Sequence, residues 1–351
     1  MSLLRLPPET LAQIFDHIGS SFFREDLGRL TVCKQWLAFA LPAYFKCIIL
    51  SEGTLRNLIN SGVMKRPSHL KYSLETLALE LGGYYPTFDP QQNSQESNAL
   101  NATALSEAFN DNPVKTWIDV LNDDLAQLAS IAQQTRRLRT LRIRAWSSPS
   151  PDPLDDPEDH LSLPTIQRFL SIQNLSVLVL DLSVGFPNSS EGQEKSLHIC
   201  PAISALLGTL QILHVRMRNI CPDVLKPREP DDNLRLSVVV INLSLIANQQ
   251  WTTSAAHSKR CGSLAGGLLQ LKADIQEQAQ ALAARMVSPK IMRVLTHSLP
   301  QFETQSLDVL TGKIMALDDD MAWDEDGKTV TEDSEPESEL LDDDFSDFPD
   351  D

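Results

Sequence analysis

Apolar residues recur along this chain with two different periods, and the period changes near residue 46. Before that point the spacing is helical. Leu11, Ile14, Phe15 and Ile18 fall at i, i+3, i+4 and i+7, which predicts one apolar helix face. Pro7 and Pro8 suit the first turn, where no backbone donor is needed, and Gly19 stands where a helix cap is expected. A second helix carries Leu27 and Leu30, and a third carries Trp36, Leu37 and Ala40 before Pro42 ends it. Three helices within residues 3–45 are too few to bury a sufficient core alone. The unit must lean on the rest of the chain or on a partner.

After residue 46, five segments resemble one another: LETLAL (74–79), LRTLRI (138–143), LSVLVL (175–180), LQILHV (210–215) and LSVVVI (236–241). Each places large apolar residues at its first, fourth and sixth positions, the strand pattern of a leucine-rich repeat. Their leading leucines (Leu74, Leu138, Leu175, Leu210 and Leu236) follow no fixed period, and the first gap is the widest, so the predicted solenoid is irregular. Helices are expected between them. One opens at Asn112-Pro113 with Trp117, Leu121, Leu125, Leu128 and Ala132 on a face, and shorter ones open at Pro164 and Pro201. The longest runs from about Ser263 to Met286, with the glycine-rich GSLAGG (262–267) as its start. Polar stretches at 87–99, 147–159 and 188–195 read as inserted loops, and Ser306–Leu317 as a last strand.

Charge adds a third region. Residues 318–351 hold 17 acidic side chains and one basic one, Lys328, a balance of −16. Against a total of −17, that leaves everything before Asp318 close to neutral, at −1. The acidity therefore describes a tail, expected to be disordered. The opening MSLLRLPPET lacks a signal-peptide layout, and no apolar run approaches the roughly 20 residues of a membrane helix. The expectation is a soluble protein of the cytoplasm, the nucleus or both, in which the four Asn-x-Ser/Thr sequons carry no sugar. The five cysteines (Cys33, Cys47, Cys200, Cys221, Cys261) are widely separated and form no CxxC pair. That spacing argues against a disulfide framework and against a zinc site.

The N-terminal residues LRLPPETLAQIFDHI and EDLGRLTVCKQWLAFALP resemble an F-box from end to end. The elements are Leu6-Pro7, Glu9-Thr10-Leu11, Ile14-Phe15, Asp26-Leu27, Leu30, and Val32-Cys33-Lys34-Gln35-Trp36; only Thr10 departs, standing where an aliphatic residue is usual. The following FKCIIL and strand repeats are similar to fungal-type F-box proteins with irregular leucine-rich repeats. The resemblance implies that Leu6, Pro7, Leu11, Ile14, Leu27, Leu30, Val32 and Trp36 supply a surface for a Skp-type adaptor, or the core behind it. Through that adaptor the chain would join a cullin–RING ubiquitin ligase as its substrate receptor, or act with the adaptor alone as a scaffold. A plainer role for the same residues is to cap the first repeat. The expected partners are the adaptor, the cullin–RING scaffold and a protein substrate, with no nucleic acid, membrane or cofactor.

The expected fold is α/β: a three-helix F-box (1–46), an irregular repeat domain of strands and helices (47–317) and the acidic tail (318–351). Period-two alternation sends Glu80, Arg142, Arg144, Asp181, His214, Arg216 and Asn242 to the face a solenoid uses for its target. Its basic middle would suit an acidic or phosphorylated segment, unless those arginines are ordinary solvated charges. The tail in turn is a solvated end, a strap over the basic strands, or bait for a basic partner. Ser334, with Glu337 three residues on, also fits an acid-directed kinase. No GxxxxGK-Ser/Thr, HExxH, GxSxG or GxGxxG motif is present, so no enzymatic activity is expected.

Overall fold

Gly19 divides the first helical segment. The computed structural model describes residues 5–61, 68–84, 113–147, 159–186, 198–228, 233–245, 256–262, 267–298, 303–318 and 320–330. Helix α1 (Pro8–Glu25) is broken at Gly19, whose φ of 78° is left-handed backbone that glycine adopts without strain. The expected cap is real, but helix resumes beyond it to Glu25. A 3-10 turn follows at Leu27–Leu30, its first free donor satisfied by the Asp26 carboxylate (Gly28 N to Oδ1, 2.8 Å). Helix α2 (Lys34–Phe45) does not stop at Pro42. A proline removes one donor from the ladder, and Ala43 is buried beyond it, so local packing carries the helix another turn. Leu11, Phe15, Phe23, Leu30, Ala40 and Ala43 form a small core of their own. Phe15 stacks on Phe23 (5.9 Å) and meets Trp36 edge-on (4.6 Å).

A second, much larger core begins at β1 (Cys47–Ser51). Strands β2 (Thr76–Leu81), β3 (Thr140–Ala145), β4 (Val177–Leu182) and β5 (Ile212–Met217) follow beside it in parallel. A short strand, β6 (Asn219–Ile220), leaves this sheet to pair with β8 (Lys259–Arg260). The main sheet continues with β7 (Val238–Asn242) and β9 (Ile291–His297), also parallel. It ends in three antiparallel strands: β10 (Thr304–Asp308), β11 (Ile314–Leu317) and β12 (Lys328–Thr329). The region expected as one last strand is thus the β10–β11 hairpin, because Gly312 (φ 73°) turns the chain there.

The five look-alike segments are adjacent and in register. Leu77, Leu141, Leu178, Leu213 and Val239 align across the sheet, as do Leu79, Ile143, Leu180, Val215 and Ile241, and all are buried. One hydrogen-bond device recurs at each step. The carbonyls of Lys46, Glu75, Arg139, Ser176, Gln211 and Ser237 each accept two consecutive backbone N–H groups from the start of the next parallel strand. This fixes the register at every junction, however long the chain between one junction and the next. Closure entropy rises only slowly with the length of a connection, so uneven spacing does not disturb the sheet.

Helices cover the buried side. They are α3 (Glu52–Asn60), α4 (Ser68–Ser73), α5 (Pro113–Gln133), α6 (Leu163–Leu170), α7 (Cys200–Ser204) and α8 (Leu268–Ala283). In α5, Leu121, Leu125, Leu128 and Ala132 are buried as the spacing predicts, with Trp117 half-buried; in α8, Leu271, Ile275, Ala279 and Leu282 are. Helix α8 starts at Leu268, later than the expected Ser263, with Gly267 as its cap. No described helix is long and apolar enough to cross a membrane. The predicted loops at 87–99 and 188–195, and Ser334, lie outside the described residues, as does most of 147–159. The acidic tail does not begin cleanly at residue 318: residues 320–330 lie on the sheet, and β12 pairs with β11 inside that stretch.

Candidate functional site

Three places concentrate chemistry. The first is the N-terminal helical unit. Of the eight residues assigned to adaptor binding, Leu11 and Leu30 are buried in its core, Ile14 and Trp36 are half-buried, and Leu6, Pro7, Leu27 and Val32 are exposed. Trp36 also donates its indole N–H to the Arg29 carbonyl (2.6 Å), which ties α2 to the 3-10 turn. Leu27 and Val32 are 56% and 65% exposed, so two large apolar side chains of this unit stay outside its core. Leu37 adds another exposed apolar side chain from the same unit.

The second is the sheet face opposite the helices. Here Glu80, Arg142 and Arg144 are exposed, and His214 and Arg216 are half-buried. Asp181 and Asn242, expected on this surface, are buried. Asp181 sits in register between Arg144 and Arg216. It accepts a two-pronged pair from Arg216 (Nε 2.6 Å, Nη2 2.8 Å) and a longer bond from Arg144 Nε (3.3 Å). The two arginine side chains lie against it, and its carboxylate offsets one charge of the basic strip that alternation predicts. Asn242 turns its side-chain oxygen to Ser244, accepting from the backbone N–H (2.9 Å) and the hydroxyl. Arg218, just beyond β5, pairs with Asp159 (3.4 Å).

The C-terminal segment covers one end of the same face. Leu317, Met321 and Trp323 pack on Val238, Val240, Ile291 and Leu295 of β7 and β9. The Arg216 guanidinium lies 4.8 Å from the Trp323 ring centre, and the His214 ring is 6.4 Å away. Buried Arg293 on β9 donates to the Glu325 carbonyl and the Asp326 carboxylate. Burial lowers the pKa of His214; the Asp324 carboxylate opposes that shift and Arg142 adds to it.

The third place was invisible in the sequence. His198, Cys200, Cys221 and Cys261 converge, one ligand atom from each lying within 4.8 Å of all the others. Cys200 opens α7, Cys221 follows β6, and Cys261 follows β8. The β6–β8 pairing, through the Cys261 N–H to the Ile220 carbonyl (3.3 Å), brings the last two together. Cys200 Sγ is 3.8 Å from Cys261 Sγ, and Cys221 Sγ is 3.7 Å from His198 Nδ1. Wide sequence spacing, which argued against a zinc site, is cancelled by the fold. Only the topology carries that information: no CxxC pair exists, and Cys200 and Cys261 are 61 residues apart. The cysteines share one favourable place for negative charge. Hydrogen bonds from Cys200 and Cys261 hold the Cys221 thiol far down, to about 2, while the same contact with Cys221, aided by burial, drives Cys200 up. Cys261 is pulled down by Cys200 but pushed further up by Cys221 and burial, to about 12.

The architecture is that of a mixed α/β protein with a large, mostly parallel sheet and eight helices among the described residues. No family model matches the chain, and no curated protein matches its sequence.

Proposed function

We propose that this chain is a non-catalytic substrate receptor of a cullin–RING ubiquitin ligase. Its N-terminal helices act as an F-box that binds a Skp-type adaptor, and the strand-and-helix domain acts as an irregular leucine-rich-repeat platform for a target protein. The observation that carries the reading is the helical unit itself. It has its own small core, yet it leaves Leu6, Leu27, Val32 and Leu37 exposed at positions that mostly coincide with the F-box-like motif. Exposed apolar side chains on a unit with a satisfied core are what a docking surface offers a partner. The in-register parallel strands with helices on one face support the repeat reading, because the part of the other face that the C-terminal segment does not cover is left for recognition.

The test is co-purification with the Skp adaptor and cullin, comparing wild type with Leu27→Asp plus Val32→Asp. Both side chains are exposed, so the variant is expected to fold as wild type by circular dichroism. Loss of adaptor and cullin together supports the receptor reading. Retention of adaptor without cullin by wild type favours a scaffold acting with the adaptor alone. Failure of wild type to bind the adaptor removes the F-box reading and leaves the helices as a cap.

A further inference from the structure

We propose that His198, Cys200, Cys221 and Cys261 form a structural zinc site. A tetrahedral zinc ion with sulfur ligands at about 2.3 Å and a nitrogen ligand at about 2.0 Å needs sulfurs about 3.8 Å apart and sulfur–nitrogen separations of about 3.5 Å. The observed Cys200–Cys261 and Cys221–His198 separations, 3.8 Å and 3.7 Å, already have those lengths. The donor set is three thiols and one imidazole, soft enough to select zinc over magnesium or calcium. Four protein ligands leave no open position, which marks a closed, structural site.

Apolar packing does not explain the cluster. Three thiols and an imidazole crowd together with Cys200 and Cys221 buried, whereas an isolated buried cysteine behaves as a small hydrophobe. A disulfide cannot satisfy the set, since it would leave one thiol and His198 behind.

The position gives the ion a purpose. Three segments meet there: the start of α7, the end of β6, and the end of β8. All lie beyond the C-terminal ends of the central strands, and the strand pairing that joins two of them is two residues long. A two-stranded pair that short has little stability of its own. Metal ligation would fix the outgoing loops of two consecutive strands to the helix that precedes them. The site does not depend on the ligase reading; it would hold for any use of the repeat-like domain.

The test uses the full chain purified under reducing conditions. Elemental analysis is expected to find about one zinc ion per chain, and replacement by cobalt(II) to give the intense visible bands of a tetrahedral thiolate site. Cys221→Ser and His198→Ala should each lose the bound metal, while Cys33→Ser plus Cys47→Ser keeps it. A chelator should lower the melting temperature of wild type and leave that of His198→Ala unchanged. Folded wild-type chain that carries no zinc and gives no cobalt spectrum overturns the proposal. So does a mass lowered by the loss of two hydrogens with two of the three cysteines oxidised, and so does metal that survives in both single variants. Because the decisive readings are made on wild type, a variant that fails to fold does not blur the result.

Discussion

The Arg216 guanidinium of β5 lies against the Trp323 ring, 4.8 Å from its centre, although the two residues are far apart in the chain. The contact places part of the acidic segment on the face a solenoid would offer its target. A cation over an indole contributes about 0.5–2 kcal/mol, and partial burial of the ring adds to it. Trp323→Ala is therefore expected to cost about 1–2 kcal/mol in urea denaturation. It should also speed hydrogen exchange across residues 320–330 while the parallel strands stay protected. Unchanged exchange in that segment would mean the indole does not anchor it.

Beside that ring, His214 gives the protein an acid-sensitive limb. Burial disfavours its charged form, and Arg142 acts the same way against the opposing Asp324. Its folded pKa is therefore below the unfolded value of about 6.5. The unfolded chain binds the proton first as pH falls, so the stability contributed by neutral His214 is complete above about 6.5 and is lost as pH drops through the folded pKa. Denaturation at a series of pH values should show this limb in wild type and a shallower one in His214→Gln. Nuclear magnetic resonance titration of Trp323→Ala should find the His214 pKa raised, since the loss of burial outweighs the loss of Asp324.

Strand positions were legible because five segments repeat an apolar residue at their first, fourth and sixth places and bury all three. β1 could be seen only as the apolar run FKCIIL, and β9 not at all. Register shows why: Phe45 and Pro289 stand where the other strands have their leading leucine. Alternation correctly assigned Glu80, Arg142 and Arg144 to the outer face, but a face is not a depth. Asp181 points outward and is still buried, because Arg144 and Arg216 fold over it from the strands on either side. The Cys and His cluster was illegible for a different reason. Its residues come from the start of α7 and the ends of β6 and β8, and the last two meet through the β6–β8 pairing, a two-residue contact with no hydrophobic pattern to announce it.

Asp181 should behave asymmetrically toward its two arginines. Arg216 is 15% exposed at the side chain and makes the two-pronged pair, whereas Arg144 is 63% exposed. Removing a buried partner strands the opposite charge, at a cost of about 3–5 kcal/mol, while an exposed ion pair contributes about 0–1 kcal/mol. Arg144→Ala should therefore be nearly neutral in chemical denaturation. Asp181→Ala should lose about 3 kcal/mol. Equal effects from the two substitutions would contradict the burial of Asp181.

Gly327 offers a way to ask whether β12 and Trp323 act as one unit. A Cβ at Gly327 would land on the Ala316 carbonyl of β11, a backbone group that cannot swing aside. Gly327→Ala should therefore displace the strand that pairs Ala316 with Lys328 and break the Val330 N–H to Ile314 carbonyl bond (3.0 Å). Overpacking of this kind costs about 1–3 kcal/mol. If β12 and the indole hold the same segment, the loss from Gly327→Ala combined with Trp323→Ala will be smaller than the sum of the single losses, because either substitution alone already frees the strap. Four proteins in one denaturation series measure this coupling, and groups that share a structural element typically couple by about 0.5–3 kcal/mol. Strict additivity would mean that β12 and Trp323 are anchored independently, so that releasing the strand leaves the indole on Arg216 and the sheet face still covered.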